Sequence, residues 1–232
     1  MKTPYQELKE QAWLANLEVP ARGLAVYTFG NVSALDREKA VFAIKPSGVA
    51  YAKLTAADLV VVDLEGKVVE GTLRPSSDTR THAALYRAFG TVGGIVHTHS
   101  TYATGWAQAG LAIPVYGTTH ADYLPEDVPC TAMMSAEAVE GDYEAETGAQ
   151  ILECFAGKDP LHLPMVLVAG HGPFTWGVTA EQAVYHAVML EQIATMAFVT
   201  RGLQASTGRI PDYLIRKHFE RKHGRGATYG QR

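Results

Sequence analysis

The sequence comprises 232 residues, of which 47% are apolar and 19% are charged, and its formal net charge is -4. This length is enough to bury a sizeable core, and the composition is typical of a soluble globular protein. The acidic excess argues against a nucleic-acid-binding protein, which normally carries a basic stripe.

The cysteines and the N-terminal residues bear on the cellular compartment. Cys130 and Cys154 form no CxxC pair, and two free thiols are typical of a protein in a reducing cytoplasm. Residues 1–16 lack the basic and then apolar pattern of a secretion signal, and no window approaches about 18 uninterrupted apolar residues. We therefore expect a cytoplasmic protein that does not enter a membrane.

The first third of the chain predicts one helix followed by antiparallel strands. Thr3 can cap the helix, Pro4 suits its first turn, and Pro20 ends it. Glu65-Gly66 is a plausible hairpin turn between two of the strands. The strand-like runs are 24–29, 40–44, 59–63 and 67–69.

The rest of the chain mixes helices and strands. Polar loop 74–78 leads into a helix at 79–89, further helices are predicted to begin at Ser100 and to span 147–156, and a capping box at Thr179 opens a long helix that runs to about Arg201. The remaining predicted strands are 93–99, 113–116, 130–134 and 165–169. No linker or repeat interrupts the pattern, so we expect one domain over residues 1–232.

A histidine pair within strand 93–99 is the first candidate site. Because residues i and i+2 of a strand project from the same face, His97 and His99 would present two imidazoles to one metal ion. The alternative is a polar strand end with two unrelated histidines. His171, flanked by glycines after strand 165–169, would complete the three-imidazole set of a catalytic zinc, although a turn histidine is equally compatible.

Asp78 and three short loops complete the candidates near this pair. Asp78 could be a fourth ligand, a nearby base or a helix cap. Hydroxyls, backbone amides and one lysine suit a phosphate monoester in loops 30–33, 45–48 and 76–77, although each is more often only a turn.

Two acid–base candidates lie further along the chain. Asp122 follows Thr118 and His120 after a predicted strand, and its sequence context by itself indicates a solvated surface carboxylate. His218 and Tyr229 lie in the polar C-terminal tail, which composition alone predicts to be frayed.

In their order along the chain, these motifs resemble the class II aldolase/epimerase family, and within it the branch of L-ribulose-5-phosphate 4-epimerases. The similarity covers nearly the whole chain. It is carried by Gly30-Asn31-Val32-Ser33, Lys45-Pro46-Ser47-Gly48, Pro75-Ser76-Ser77-Asp78, His97-Thr98-His99-Ser100, Gly170-His171-Gly172-Pro173 and the tail Arg221-Lys222-His223-Gly224 through Tyr229-Gly230-Gln231.

The resemblance implies a fold and a set of roles. The fold is a three-layer α/β/α arrangement around a mainly antiparallel sheet, in a homotetramer whose sites lie between subunits and include an ordered tail. Zinc, with manganese or cobalt as substitutes, is held by His97, His99, His171 and Asp78. The substrate and its phosphate are held by Asn31, Lys45, Ser47, Gly48, Ser76, Ser77, Thr118 and His218. Asp122 and Tyr229, contributed by a neighbouring subunit, transfer protons.

The implied activity is the interconversion of L-ribulose 5-phosphate and D-xylulose 5-phosphate in pentose catabolism, such as that of L-arabinose. Related fuculose- and rhamnulose-phosphate aldolases carry glutamate where this chain has Asp78, and this aspartate together with the Tyr229 tail favours the epimerase. The alternatives are such an aldolase, or a non-catalytic module similar to the adducin head domain. The presence of all three site histidines weighs against the module, since a scaffold needs no open metal site.

Overall fold

A computed structural model describes residues 3–225 and 227. Its centre is a single sheet formed by β1 (Asn31–Asp36), β2 (Val41–Ile44), β3 (Val60–Asp63), β4 (Val68–Glu70), β5 (Gly94–His97), β6 (Met165–Val168) and β7 (Gly172–Gly177). The strands are ordered β4-β3-β2-β1-β5-β7-β6, and every neighbouring pair is antiparallel. The expected mainly antiparallel sheet is confirmed.

Helices cover both faces of this sheet. The helices of the described residues are α1 (Gln6–Ala21), α2 (Thr79–Ala88), α3 (Thr101–Gln108), α4 (Thr118–Ala121), α5 (Ala136–Glu140), α6 (Tyr143–Cys154), α7 (Ala180–Leu203) and α8 (Asp212–His223). On β2, Phe42 and Ile44 face a core shared with α2, α3 and α6, whereas Val41 and Ala43 face a core shared with α1. The sheet is therefore buried on both sides, which gives the three layers expected.

The long helix α7 belongs to both cores. An 18-residue stretch within its 24 residues reaches a mean hydropathy of 1.2, so by length and composition it is the one helix of the described residues that could cross a membrane. Within the protein it packs against β5 and β7. Its buried positions recur every three or four residues from Ala183 to Ala197, which is the pattern of a core helix.

Three predicted strands are wrong. Residues 24–29 form a loop in which Tyr27 has a φ of 53°, a left-handed conformation that cannot continue a strand. Segments 113–116 and 130–134 contribute only isolated bridges, Ile113 with Val128 and Cys130 with Leu167. Apolar runs of this length are strand-like by pattern, but these runs lie beside the sheet and not in it.

Two strands were not predicted, and neither were the short helices α4 and α5 or the terminal helix α8. β1 includes the loop motif 30–33, and β7 begins with Gly172 and Pro173, two residue types that are depleted in strands. β7 is nevertheless fully buried between β5 and β6. Because α8 lies in the polar tail, the composition-based expectation of fraying is wrong for Asp212–His223.

Candidate active site

Three histidines converge at one end of the β5–β7 pair. His97 ends β5, His99 follows two residues later, and His171 lies in the turn between β6 and β7. Antiparallel pairing places His97 opposite Phe174, so the strand end and the turn meet. The potential ligand nitrogens of the three imidazoles lie within 4.8 Å of one another, and the Nε2 atoms of His97 and His99 are 3.1 Å apart. This arrangement can hold one metal ion.

The ring of His97 is fixed by neighbours on β7. Its Nδ1 lies 3.0 Å from the carbonyl oxygen of Pro173, and the imidazole stacks on Phe174 with ring centroids 4.3 Å apart. A carbonyl can only accept, so Nδ1 carries the proton and the lone pair is on Nε2. Such an outer hydrogen bond is the usual way in which a metal-binding histidine is oriented.

Burial keeps the other two histidines neutral. It lowers the pKa of His171 to about 4, and it lowers the pKa of His99 as well, in both cases aided by the neighbouring His97. The phenol of Tyr143, at the start of α6, lies 3.4 Å from Nδ1 of His171. Neutral imidazoles are the form that binds a metal at neutral pH. Tyr143 was not identified from the sequence, where no motif surrounds it.

Asp78 lies beside the histidines at the start of α2. Its carboxylate accepts hydrogen bonds from Asn31 Nδ2 at 2.6 Å and Ser76 Oγ at 3.4 Å. Burial acts to raise its pKa, but the histidines around it and the bond from Asn31 together lower the pKa below the usual value. Among the described residues, the three-histidine group is complete without Asp78, so its role as a fourth ligand stays a prediction.

The predicted phosphate-binding loops are held side by side by backbone pairing. The amide of Ser47 donates to the carbonyl of Arg74 at 2.9 Å, and the amide of Ser76 donates to the carbonyl of Lys45 at 3.0 Å. Pro46 and Pro75 form the bridge between the two segments. These loops are far apart in sequence, and the pairing makes them open into the same space.

One cavity of about 350 Å³ contains both sets of residues. The three histidines and Asp78 line it together with the six residues of the predicted phosphate site: Asn31, Lys45, Ser47, Gly48, Ser76 and Ser77. Lys45 is 2% exposed, and burial lowers its pKa to about 8. No carboxylate of the described residues forms an ion pair with this lysine, so its charge is available to an anion.

Gly30 allows the loop before β1 to approach the histidines. Its φ is +77°, and an added Cβ would lie 2.7 Å from the carbonyl oxygen of His97. Both conditions require glycine. Phe29, whose ring centroid is 6.0 Å from that of His99, lines the cavity next to it and was not identified from the sequence, although its place beside the Gly30-Asn31 motif was a usable signal.

Asp122 and His218 lie together but outside this cavity. Asp122 Oδ1 is 2.9 Å from His218 Nδ1, and Arg221 of α8 binds both oxygens of the carboxylate. Although burial acts to raise the pKa of Asp122, these partners lower it. The solvated-surface interpretation is therefore incomplete, because the carboxylate anchors α8 against the end of α4.

Two further predicted residues stand apart. Thr118 begins α4, four residues before Asp122, and does not line the cavity of the three histidines. Tyr229 lies outside the described residues. Of the two predicted proton-transfer residues, Asp122 is thus not assembled with the histidines within the described part of this chain.

The chain is similar to known proteins in both sequence and fold. Residues 10–198 match the family described as Class II Aldolase and Adducin N-terminal domain. A protein named L-ribulose-5-phosphate 4-epimerase UlaF from Salmonella paratyphi B is 55% identical over 227 residues, which cover 98% of this chain and 100% of that protein.

Solved structures of sugar-phosphate aldolases share the fold. A structure named L-fuculose 1-phosphate aldolase has a TM-score of 0.77 at 25% identity and covers 93% of this chain and 95% of its own. A structure named L-fuculose-1-phosphate aldolase from Thermus thermophilus has a TM-score of 0.65 at 27% identity and covers 88% of this chain and 98% of its own.

Proposed function

Since the chain belongs to the family of class II aldolases and adducin N-terminal domains, we propose that it interconverts L-ribulose 5-phosphate and D-xylulose 5-phosphate by inversion at C4. The relatives confirm the predicted resemblance to epimerases, the class II aldolase-like fold and the expectation of an isomerase. The observation that carries the substrate assignment is the single cavity shared by the three histidines and the phosphate-type loops.

The histidine group fits a divalent metal ion, and we propose zinc, with manganese or cobalt as substitutes. Three imidazoles with convergent nitrogens are the usual donor set of a catalytic zinc, and burial favours the neutral, metal-binding form of His99 and His171. Asp78, fixed by Asn31, is proposed as the acidic partner. When bound, such an ion supplies a Lewis acid for negative charge that develops on the C2 and C3 oxygens of the substrate.

The loops of the cavity are proposed to bind the phosphate of the substrate. Lys45 provides an uncompensated positive charge, and Ser47, Ser76 and Ser77 provide hydroxyl and amide donors around it. The cavity would hold the phosphate of the substrate at one end and its C2 and C3 oxygens at the other. This would orient the C3–C4 bond that lies between them.

The chemistry of the substrate explains why both ends are needed. The C4 hydrogen is not α to the C2 carbonyl and is therefore too weakly acidic for a base to remove. Deprotonation of the C4 hydroxyl instead allows the C3–C4 bond to break, which gives glycolaldehyde phosphate and the enediolate of dihydroxyacetone. Rotation of the aldehyde about its bound phosphate, followed by re-addition on the other face, inverts C4.

Two proton-transfer groups are needed, one on each side of C4. We propose Asp122 and Tyr229 of a neighbouring subunit for these roles, in a homotetramer, and we propose Thr118 and His218 as substrate-binding residues. The position of Asp122 and His218 outside the histidine cavity supports a contribution to another subunit's site. The exposed apolar side chains Leu111, Phe198 and Leu203 on α7 and near the end of α3 support self-association.

The competing activity is that of a class II aldolase, which is favoured by the fold similarity to L-fuculose 1-phosphate aldolase. The two are separated by incubating the metal-loaded protein with L-ribulose 5-phosphate and following the products by NMR. We expect D-xylulose 5-phosphate without accumulation of free aldehyde. Release of glycolaldehyde phosphate would establish an aldolase, and no turnover of any sugar phosphate would favour the non-catalytic, adducin-like alternative.

The physiological setting is proposed on the same basis. An enzyme that consumes L-ribulose 5-phosphate would act in pentose catabolism, such as that of L-arabinose, and in the cytoplasm. Growth on L-arabinose after deletion of the gene, with L-ribulose 5-phosphate measured in the cells, tests this assignment.

A further inference from the structure

The side chain of Tyr51 lies beneath the loop that leads to the histidines. Tyr51 begins a short 3-10 helix (Tyr51–Lys53) and is 5% exposed. Its backbone N–H donates to the carbonyl of Tyr27 at 3.2 Å, and its hydroxyl donates to the carbonyl of Phe29 at 3.1 Å. Burial raises the pKa of the Tyr51 phenol, so the hydroxyl remains a donor.

The same tyrosine contacts the ammonium group of Lys45. Nζ of Lys45 lies 4.8 Å from the centroid of the Tyr51 ring and donates to the carbonyl of Thr28 at 3.2 Å. Three consecutive carbonyls, from Tyr27 to Phe29, are thus held by Tyr51 and Lys45 together. This accounts for a loop in which Tyr27 keeps a left-handed backbone conformation despite its side chain.

The groups that contact the Lys45 ammonium determine whether this lysine can bind an anion. A carboxylate beside a buried lysine would form an ion pair whose net charge is zero. An aromatic face and a carbonyl also stabilise the ammonium, but they are uncharged, so the net positive charge of the site is kept. Burial works in the opposite direction and lowers the pKa of Lys45 to about 8. The charge of this lysine in neutral and mildly alkaline solution therefore depends on the groups that touch the ammonium.

Tyr51 also connects the two ends of the cavity. The loop that it holds continues into Phe29, which packs against His99, and into Gly30, which contacts the backbone of His97. The contacts of one buried side chain therefore fix the lysine at the phosphate end and the backbone at the histidine end.

We propose that Tyr51 is a positioning residue: its aromatic face holds the buried Lys45 ammonium in its charged form for a phosphate dianion, and its hydroxyl fixes the loop that supports the histidines. The inference rests on the proposed function insofar as Lys45 is taken to bind the phosphate. It assigns to Tyr51 no contact with the substrate.

The test replaces the aromatic face without changing its size. Tyr51→Phe, and then phenylalanines carrying one, two and three fluorine atoms at position 51, progressively weaken the attraction of the ring for a cation. Calorimetry with metal-loaded protein measures the affinity for inorganic sulfate, a tetrahedral dianion whose charge is constant between about pH 6.5 and pH 9. Lys45→Met is the control that identifies the binding due to the lysine.

We expect nearly equal sulfate affinities across the series at about pH 6.5, where Lys45 is mostly protonated in every variant. At about pH 9 the trifluorinated variant should bind sulfate about tenfold more weakly than Tyr51→Phe, since loss of the cation–π contact would reduce the protonated fraction of the lysine by that factor. A purely structural role would change the affinity equally at both pH values.

The outcomes separate this inference from the proposed function. If sulfate affinity at about pH 9 is the same for all the fluorinated variants and Lys45→Met abolishes binding, the role of Tyr51 is overturned and the phosphate site remains supported. Sulfate binding by Lys45→Met with wild-type affinity would instead remove the phosphate site itself. In the Tyr51→Phe variant, we also expect a several-fold lower kcat with little change in KM, because only the contact of the hydroxyl with the loop is lost. An unchanged kcat would contradict the proposed role of the hydroxyl in fixing the loop.

Discussion

At the scale of single residues, one small cavity combines three histidines that could hold a metal ion with a buried lysine and several hydroxyl groups. His99 and His171 are neutral because burial disfavours their charged forms. Burial also lowers the pKa of Lys45, but only to about 8, so the lysine is mostly charged at neutral pH, and no carboxylate of the described residues pairs with that charge. A buried ammonium without a carboxylate partner would be unfavourable in a core that binds no ligand. Together these features support the proposed site, in which a cation would be bound at one end and an anion at the other.

Removal of one ligand nitrogen should abolish metal binding. We expect His97→Asn to lose at least about two orders of magnitude in affinity for zinc, together with the epimerase activity, because the two remaining imidazoles no longer enclose the ion. Competition with a chromophoric chelator measures the affinity. His162→Asn, at an exposed histidine, is the matched control and should bind zinc normally; equal affinities would show that the ion is held elsewhere.

At the scale of secondary structure elements, the packing of α2 on β1 supports the site from behind. Asn31 and Ser33 project from one face of β1, and Asp78 and His82 project from one face of α2, so that Asn31 pairs with Asp78 and Ser33 pairs with His82. The alternation of side chains along β1 and the helical period of α2 thus place these two hydrogen-bonded pairs next to the cavity, and we call the two pairs the polar ladder. Its lower part, Ser33 with His82, is completely buried.

Loss of the Ser33 hydroxyl should destabilise this ladder. Ser33 Oγ lies 2.7 Å from both His82 Nδ1 and the Tyr86 hydroxyl, so Ser33→Ala removes two buried hydrogen bonds and leaves His82 Nδ1 unpaired. We expect a loss of about 2–4 kcal/mol in the free energy of unfolding, measured by urea denaturation. Ser135→Ala, at the exposed cap of α5, should cost only about 1 kcal/mol; a cost for Ser33→Ala no greater than that would contradict the buried ladder.

The close approach of Gly30 to the end of β5 leads to a second prediction at this scale. Gly30→Ala and Gly23→Ala both force a side chain into a positive φ, which costs about 1–2 kcal/mol. Only at position 30 does the new Cβ meet the His97 carbonyl, because Gly23 has open space. We therefore expect Gly30→Ala to weaken zinc binding at least about tenfold and Gly23→Ala to leave it unchanged, as measured by chelator competition.

At the scale of the whole molecule, the described chain separates the proton-transfer candidate Asp122 from its metal and phosphate candidates. Asp122, His218 and Arg221 form one cluster where α4 meets α8, and the histidine cavity forms another at the end of β5. A symmetric oligomer can combine two such half-sites from different subunits. The proposed tetramer would thus be a requirement for catalysis and not only for stability.

Mixing of inactive variants tests this arrangement. Asp122→Asn and His97→Asn subunits should each be inactive alone, and subunit exchange in an equal mixture should restore about a quarter of the wild-type activity, since half of the metal sites are intact and half of their neighbours carry Asp122. The control mixture of His97→Asn with His99→Asn cannot form an intact site. Restoration in the control, or none in the test mixture, would argue against shared sites.

The sequence alone determined the local chemistry of this protein. The spacing of His97 and His99 predicted two neighbouring imidazoles, and their Nε2 atoms do lie 3.1 Å apart, although His99 lies beyond the end of β5. The Gly30, Ser47 and Ser76 loops carry the residue types that suit a phosphate. Periodicity also predicted a mixture of helices and strands, with antiparallel strands in the first third of the chain. These features depend on residues that are close together in the chain.

Only the tertiary structure decided which of these local features share a site. The strand identity of β7 depends on burial between β5 and β6, which overrides the weak strand propensity of Gly172 and Pro173. The same pairing brings His171 to His97, backbone contacts bring the loop of Lys45 to that of Ser76, and Asp122 remains outside the cavity. Such contacts join residues far apart in sequence, and they form only when the sheet and both of its cores are assembled.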